Sequence, residues 1–366
     1  MHVQDIIINQ IKQTGPVSFR QFMETALYHP GQGYYTSPYS RIGKDGDYYT
    51  SPYLSQYFGR MLAIQVEEIW QKLPAGKGVF TVVEYGAGNG EMAWDILQKL
   101  KNNQDLYQQL RYIIIEKSLA LQQRQQQRLT EKVEWISDIN ELGSFSGCVL
   151  ANEVLDNFAV HQVLMQDELM EVYVDYTTGF TETLLPANQV LKDYMANLGV
   201  QLPPGQRTEI NLEALEWLQQ IARPLTAGAV IVIDYGGSSA ELYSGKWRDG
   251  TLLCYKDHTV NKALFVNPGG QDITAHVNFS ALKYYGNKFG FQFGGYTSQG
   301  RFLQSLGLCK ELAQEEAGQN GAKIVSAASI QMLQALLLDM GTSMKVLSLQ
   351  KKLPCRLRGM QFPLPL

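Results

Sequence analysis

At 366 residues the chain is long enough for one large domain or two moderate ones, and its 45% hydrophobic and 18% charged residues are the proportions of a globular protein with a sizeable core. A formal charge of −4, with no cluster of lysines and arginines, leaves no electrostatic footprint for nucleic acid. No apolar run reaches the length of a membrane span.

In chain order, Ile6, Ile7, Ile8 and Ile11 fall at the spacing of an amphipathic helix. The segment lacks the features of a signal or transit peptide. Cys148, Cys254, Cys309 and Cys355 form no C-x-x-C pair for zinc or a redox dithiol. The expectation is a bacterial cytoplasmic protein with no resident metal. Residues 1–75 read as a distinct opening region rich in Tyr and Gly. Ser55–Trp70 reads as a helix, with Phe58, Met61, Leu62, Val66 and Ile69 on one face.

Residues 76–366 read as the main body. The apolar run Val79–Val83 is a buried strand that ends in Glu84, crosses Gly86, Ala87, Gly88, Asn89 and Gly90, and enters a helix at Glu91–Leu100. Alternate glycines let the backbone turn sharply and let a ligand lie against it. The E-x-G-x-G-x-G order differs from the dinucleotide fingerprint G-x-G-x-x-G, which disfavours a nicotinamide enzyme. An acid before the glycines suits a cationic or amine-bearing ligand, which is the pattern of the loop that holds S-adenosylmethionine. A bare strand–turn–helix joint is the bland alternative.

A second run, Arg111–Ile115, ends at Glu116, 26 residues after Gly90, with Lys117 beside it. An acid at that place in a doubly wound fold holds ribose hydroxyls. A third run, Val133–Ser137, ends at Asp138, which reads either as an adenine contact or as a helix N-cap before Ile139. A fourth, Gly147–Ala151, ends at Asn152 and Glu153. Strands and helices alternate here, so the fold class is α/β with a parallel, Rossmann-like doubly wound sheet. Gln122–Arg128 reads as a solvated helix. After Asn157 the sheet is interrupted by an insertion at about 157–210 with antiparallel strands. Then come a helix at Leu212–Ala222, a fifth strand at Gly228–Asp234 and a second insertion at about 238–280. Phe291–Tyr296 and Met344–Gln350 are expected to close the sheet as an antiparallel edge.

Several phrases point to one family. They are Phe22-Met23, Pro30-Gly31-Gln32-Gly33-Tyr34-Tyr35, Gly46-Asp47-Tyr48 with Thr50-Ser51-Pro52, and Ser55–Gly59. Further along come Glu84–Gly90, Asn152-Glu153 with Asp156, Val160-His161-Gln162, Asp234-Tyr235-Gly236, and Pro268–Val277. With these the chain resembles the MidA family of S-adenosylmethionine-dependent methyltransferases, which includes a mitochondrial complex I assembly factor that methylates an arginine. The resemblance implies a class I methyltransferase core, S-adenosylmethionine as cofactor, and arginine methylation of a partner protein, by analogy a respiratory complex subunit. A homodimer is also open. It further implies that Asp47, Thr50 and Ser51 fold over the cofactor.

On this reading Glu84 faces the cationic methionine end, and Gly86, Ala87, Gly88 and Gly90 let the backbone approach. Glu116 and Lys117 flank the ribose, while Asp138 and Asn152 complete the cofactor shell. An arginine acceptor is effectively always protonated, so it needs carboxylates that bind its planar fork and localise the charge. Glu153 and Asp156 are candidates for that pair, against a turn or cap reading. His276, beside Asp272, is the candidate substrate-pocket pair; a satisfied structural histidine is the alternative. A methyltransferase for a small molecule or another residue type, and a largely non-catalytic assembly factor that binds the cofactor, are the competing functions.

Overall fold

The computed structural model describes residues 2–37, 47, 51–73, 78–320, 327–353 and 355–366. Seven strands form the continuous path of the main sheet: Phe80–Tyr85 (β1), Leu110–Ile115 (β2), Val133–Ile136 (β3), Phe145–Asn152 (β4), Leu225–Gly237 (β5), Gln292–Ser298 (β6) and Met344–Lys351 (β7); the short strand Val277–Asn278 adds an eighth, parallel to the end of β5. Their spatial order is 3-2-1-4-5-7-6. Neighbours among β1–β5 are parallel, and β7 runs antiparallel to both β5 and β6. One correction follows for the late strands. Only β7 is reversed, and it slots between β5 and β6; β6 at the edge runs the same way as β5. Helix Phe279–Lys288 supplies the crossover that a parallel step from β5 to β6 requires.

Consecutive strand residues point to opposite faces. Val82, Ile114, Cys148, Leu150 and Ile231 face a layer built from the helices Gln56–Lys72, Glu91–Leu100 and Gln299–Leu306. Val83, Ile113, Val149 and Val232 face the helices Leu212–Ala222 and Phe279–Lys288. With both faces covered, the strands read as continuous apolar runs rather than alternating ones. Ser55 caps helix Gln56–Lys72 by accepting from the Tyr57 N–H at 3.2 Å, which fixes where that helix begins.

Between β4 and β5 the chain forms an antiparallel sheet from His161–Met165, Leu169–Tyr176, Phe180–Pro186 and Arg207–Ile210. Val17–Ser18 adds a further strand to it, with Val17 opposite Val174. After β5 comes a three-stranded sheet of Leu253–Lys256, Thr259–Asn261 and Asp272–Thr274. Its first two strands turn at Asp257 and His258, both left-handed (φ 50° and 58°), as a two-residue hairpin demands. Among the described residues no helix is long and apolar enough to cross a membrane.

The parallel strands finish level. Tyr85 lies opposite Ile115 and Ala151, Ile115 opposite Ile136, and Asn152 opposite Ile233. Their carboxyl ends therefore open onto one edge, where open α/β sheets bind ligands.

Candidate active site

A cavity of about 380 Å³ lies along that edge. Glu84, Gly86, Ala87, Gly88, Glu116, Lys117, Asp138, Asn152 and Glu153 all line it. Gly90, Asp47, Ser51, Asp156, Asp272 and His276 lie outside its lining, and Thr50 lies outside the described residues.

The glycine turn has a conformational cause. Gly86, Gly88 and Gly90 have φ of 62°, 55° and 84°, a region that side-chain-bearing residues rarely adopt. A Cβ on Gly86 would also sit 3.2 Å from Val154 Cγ2. Gly86 donates its N–H to the Ile115 carbonyl at 3.0 Å, which pins the turn to the end of β2. Gly90 starts the helix Glu91–Leu100, whose early N–H groups have no intrahelical acceptor.

Glu84, on β1, is 1% exposed and accepts a hydrogen bond from the Tyr112 hydroxyl at 2.5 Å. Burial pushes its carboxyl up to about 8, Tyr112 pulls it down, and the Glu116 and Glu91 charges raise it again. A cation arriving beside it would restore its charge. Glu116 takes the Ser118 N–H at 2.9 Å on Oε1 and the Gln125 amide at 3.0 Å on Oε2. Its pKa is raised by burial against these hydrogen bonds.

Gln125 was missed in the sequence. Its helix, Leu119–Arg128, is polar enough to read as solvated, yet Gln125 is 0% exposed. Its amide also donates to the Gly88 carbonyl at 2.9 Å, and its oxygen accepts from Trp135 Nε1 at 2.9 Å. Helix Leu212–Ala222 was found as a helix but not as a wall. Glu213, Glu216, Trp217 and Gln220, spaced i, i+3, i+4 and i+7, line the cavity along one face.

For Asp138 the cap reading is seen directly, and the cap leaves the residue on the cavity wall. It caps the short helix Ile139–Glu141, accepting from the Asn140 N–H at 2.7 Å, and it lines the cavity. Lys117 points over the Tyr28 ring at 4.9 Å and toward Glu213 at 3.6 Å. Tyr28 stacks on Tyr35 with ring centroids 5.6 Å apart, and both line the same space.

The loop after β4 is held from below. Asp234 on β5 accepts the N–H groups of Val154, Leu155 and Asp156 on Oδ2 at 3.2, 2.9 and 3.3 Å. Glu153 adopts a left-handed φ of 53°, and its carboxylate accepts from the Ser51 N–H at 3.3 Å and the Asn152 amide at 3.2 Å. Burial and then the Asp234 charge raise its carboxyl to about 8. Asp156 is 6% exposed, its Oδ1 has no hydrogen-bond partner, and burial, then Asp234, Asp272 and Glu153, drive its pKa well above the usual range. Asn152 Oδ1 is likewise buried without a donor.

The remaining candidates sit around this core. Asp47 accepts from the Tyr34 hydroxyl at 2.6 Å and the Asp257 N–H at 2.7 Å. Ser51 is fully buried and donates to Gln299 at 3.2 Å. Asp272 takes the Asn157 amide at 3.2 Å. His276 does not meet it as a pair; its ring packs edge-on against Trp247, and burial, then Lys345 and Lys246, lowers its pKa to about 4. Among the described residues no group of three or more His, Cys, Asp or Glu is arranged to hold a metal.

A level row of carboxylates over a left-handed glycine turn fits a nucleoside with a cationic tail. Comparison with known proteins bears on this directly. Residues 61–297 match the model of the S-adenosyl-L-methionine-dependent methyltransferase family. The chain belongs to this family. A structure from Burkholderia thailandensis bound to S-adenosyl-homocysteine is similar with a TM-score of 0.88 and 29% identity, covering 99% of this chain and 95% of that one. A native structure from the same organism gives 0.86 and 30%, over 99% and 94%. The protein arginine methyltransferase NDUFAF7 of Xenopus tropicalis is 27% identical over 82% of this chain and 74% of its own length. The human protein of that name is 28% identical over 76% and 67%. The fold is that of a class I methyltransferase, and S-adenosylmethionine is the cofactor.

Proposed function

We propose that this methyltransferase acts on an arginine side chain of a protein. The observation that carries the reading is Glu153: a carboxylate in the cavity wall, at the end of β4, in a left-handed conformation that few residues adopt without a reason. The names of the relatives, protein arginine methyltransferases, support the same acceptor.

In this reading Glu84 meets the amino end of the cofactor, Glu116 accepts from the ribose hydroxyls, and Asp138 borders the adenine. Gly86 and Gly88 let the backbone close on the ligand, and Gly90, outside the cavity lining, completes the turn against Leu129 and Gln125. When bound, the cofactor supplies an electrophilic methyl on a sulfonium. The chain contributes alignment, an effect that can lower a barrier by about 7–11 kcal/mol. A guanidinium enters protonated, so Glu153 must ionise to receive it; the incoming cation lowers a carboxyl pKa that burial has raised. Asp156, outside the lining of the ligand-free cavity, is the second carboxylate in this reading, and its Oδ1 has no hydrogen-bond partner. Together they would localise charge on one nitrogen and leave the other able to attack, its proton passing to the ionised Glu153 carboxylate.

The test is incubation of cell extract with labelled S-adenosylmethionine, followed by mass spectrometry for methylarginine. Transfer to arginine that disappears in Glu153→Gln, with cofactor affinity within about threefold of wild type, is the expected result. Label on a small molecule or on another residue type would replace the arginine reading.

A further inference from the structure

We infer that Gln125 is a positioning residue for the cofactor site: one side chain that locks the glycine turn, the carboxylate after β2 and strand β3 into a single frame. This rests on the reading of Glu116 as the ribose carboxylate.

The case begins with burial. Gln125 is the buried residue of an otherwise polar helix, and an amide taken out of water must find its partners. Its Nε2 has two hydrogens, and both are used: one on the Gly88 carbonyl, one on Glu116 Oε2. Its Oε1 accepts the Trp135 indole N–H. That last bond also decides the amide's orientation, because an indole can only donate. The nitrogen must therefore face the carbonyl and the carboxylate.

Consider Glu116 without it. Backbone donors at Ser118 and Lys117 would remain, but Oε2 would lose the side-chain amide that holds it. The Gly88 carbonyl would lose its partner too. Gln125 does not line the cavity, so its influence on a ligand passes through these two groups.

The experiment measures binding of S-adenosyl-homocysteine and of its 2′-deoxyadenosyl analogue by calorimetry, in wild type, Glu116→Ala, Gln125→Met and Gln125→Glu. Wild type should prefer the ribose form, and Glu116→Ala should erase that preference. Gln125→Met should cut the preference by about tenfold, because a hydrogen bond to a charged group is lost. A folded variant that weakens both ligands equally would make Gln125 a packing residue and overturn the inference. If Glu116→Ala keeps the preference, the ribose reading itself falls, a separate outcome.

Gln125→Glu keeps the shape and adds a diagnostic. The new carboxyl can donate to Glu116 only while protonated. Its affinity, relative to wild type at each pH, should fall by about tenfold between pH 6 and 8.5 as the shared proton leaves. A flat ratio across that range would count against the inference as firmly as an unchanged ribose preference.

Discussion

Glu84 shows how one buried carboxyl ties stability to ligand charge. An exposed glutamate ionises near pH 4.3, whereas burial holds this one protonated up to about 8. Across that interval the unfolded chain releases a proton that the folded chain keeps, so the folded state binds more protons and stability falls as pH rises. Glu153 at about 8, and Asp234 and Asp272 at about 7, push the same way. His276, lowered to about 4, opposes them only below about pH 6.5, where the unfolded imidazole takes up its proton. The ligand-free protein should therefore melt at a lower temperature at pH 8.5 than at pH 6.5. Glu84→Gln should flatten part of that slope and lose cofactor affinity by about tenfold or more, as removal of a charged partner does. Melting curves at the two pH values, with and without S-adenosyl-homocysteine, check both claims; a variant with the wild-type slope would show that Glu84 is already ionised.

The 3₁₀ turn Leu155–Asn157 carries Asp156, proposed above for the acceptor, and it has almost no stability of its own. Three successive N–H groups find their acceptor in one oxygen of Asp234. Asp234→Asn replaces one of two accepting oxygens with a donor, since Oδ1 already serves the Tyr235 N–H. The expected loss is about 1–3 kcal/mol, read as a lower urea midpoint with an unchanged slope. A midpoint equal to wild type would mean the turn is held by packing alone. Elements of this kind mark the limit of the sequence. The five parallel strands β1–β5 and their polar ends were legible because apolar runs and glycine turns are local signals. Helices Glu91–Leu100 and Leu212–Ala222 were legible from their spacing. The service of Asp234 to a turn 80 residues earlier was not, because no local pattern records it. Gln125 was hidden for a related reason: a buried, fully partnered amide and a solvated one are the same letter. The reversed order of β6 and β7 escaped because strand direction is set by the crossover, not by the strand.

At the scale of the whole molecule, the segments that are remote in sequence meet at Asp47. Its carboxylate joins Tyr34 of the opening region to Asp257 in the hairpin of the second insertion, and its carbonyl takes the His258 N–H at 3.0 Å. Tyr34 is 1% exposed, and its neighbour Tyr35 stacks on Tyr28 in the cavity wall. The left-handed turn at Asp257 and His258 carries a conformational cost at both residues, which a neighbour must offset. Asp47 is placed to do so, because an acceptor that meets the turn's N–H favours that backbone over the alternatives. Its contribution to cofactor binding would then be indirect, through Tyr34 and the cavity-wall residues Tyr35 and Tyr28 beside it, rather than through contact. Asp47→Ala should leave the main sheet intact while amide exchange at Asp257 speeds up by about tenfold or more, the loss of one charged hydrogen bond. Exchange in β1 and β4 should stay at wild-type rates, since their bonds lie within the sheet core. If exchange at Asp257 is unchanged in the variant, the hairpin holds its own turn and the opening region is anchored elsewhere. If β1 and β4 also open faster, Asp47 supports the global fold, and the hairpin and the main sheet unfold as one cooperative unit.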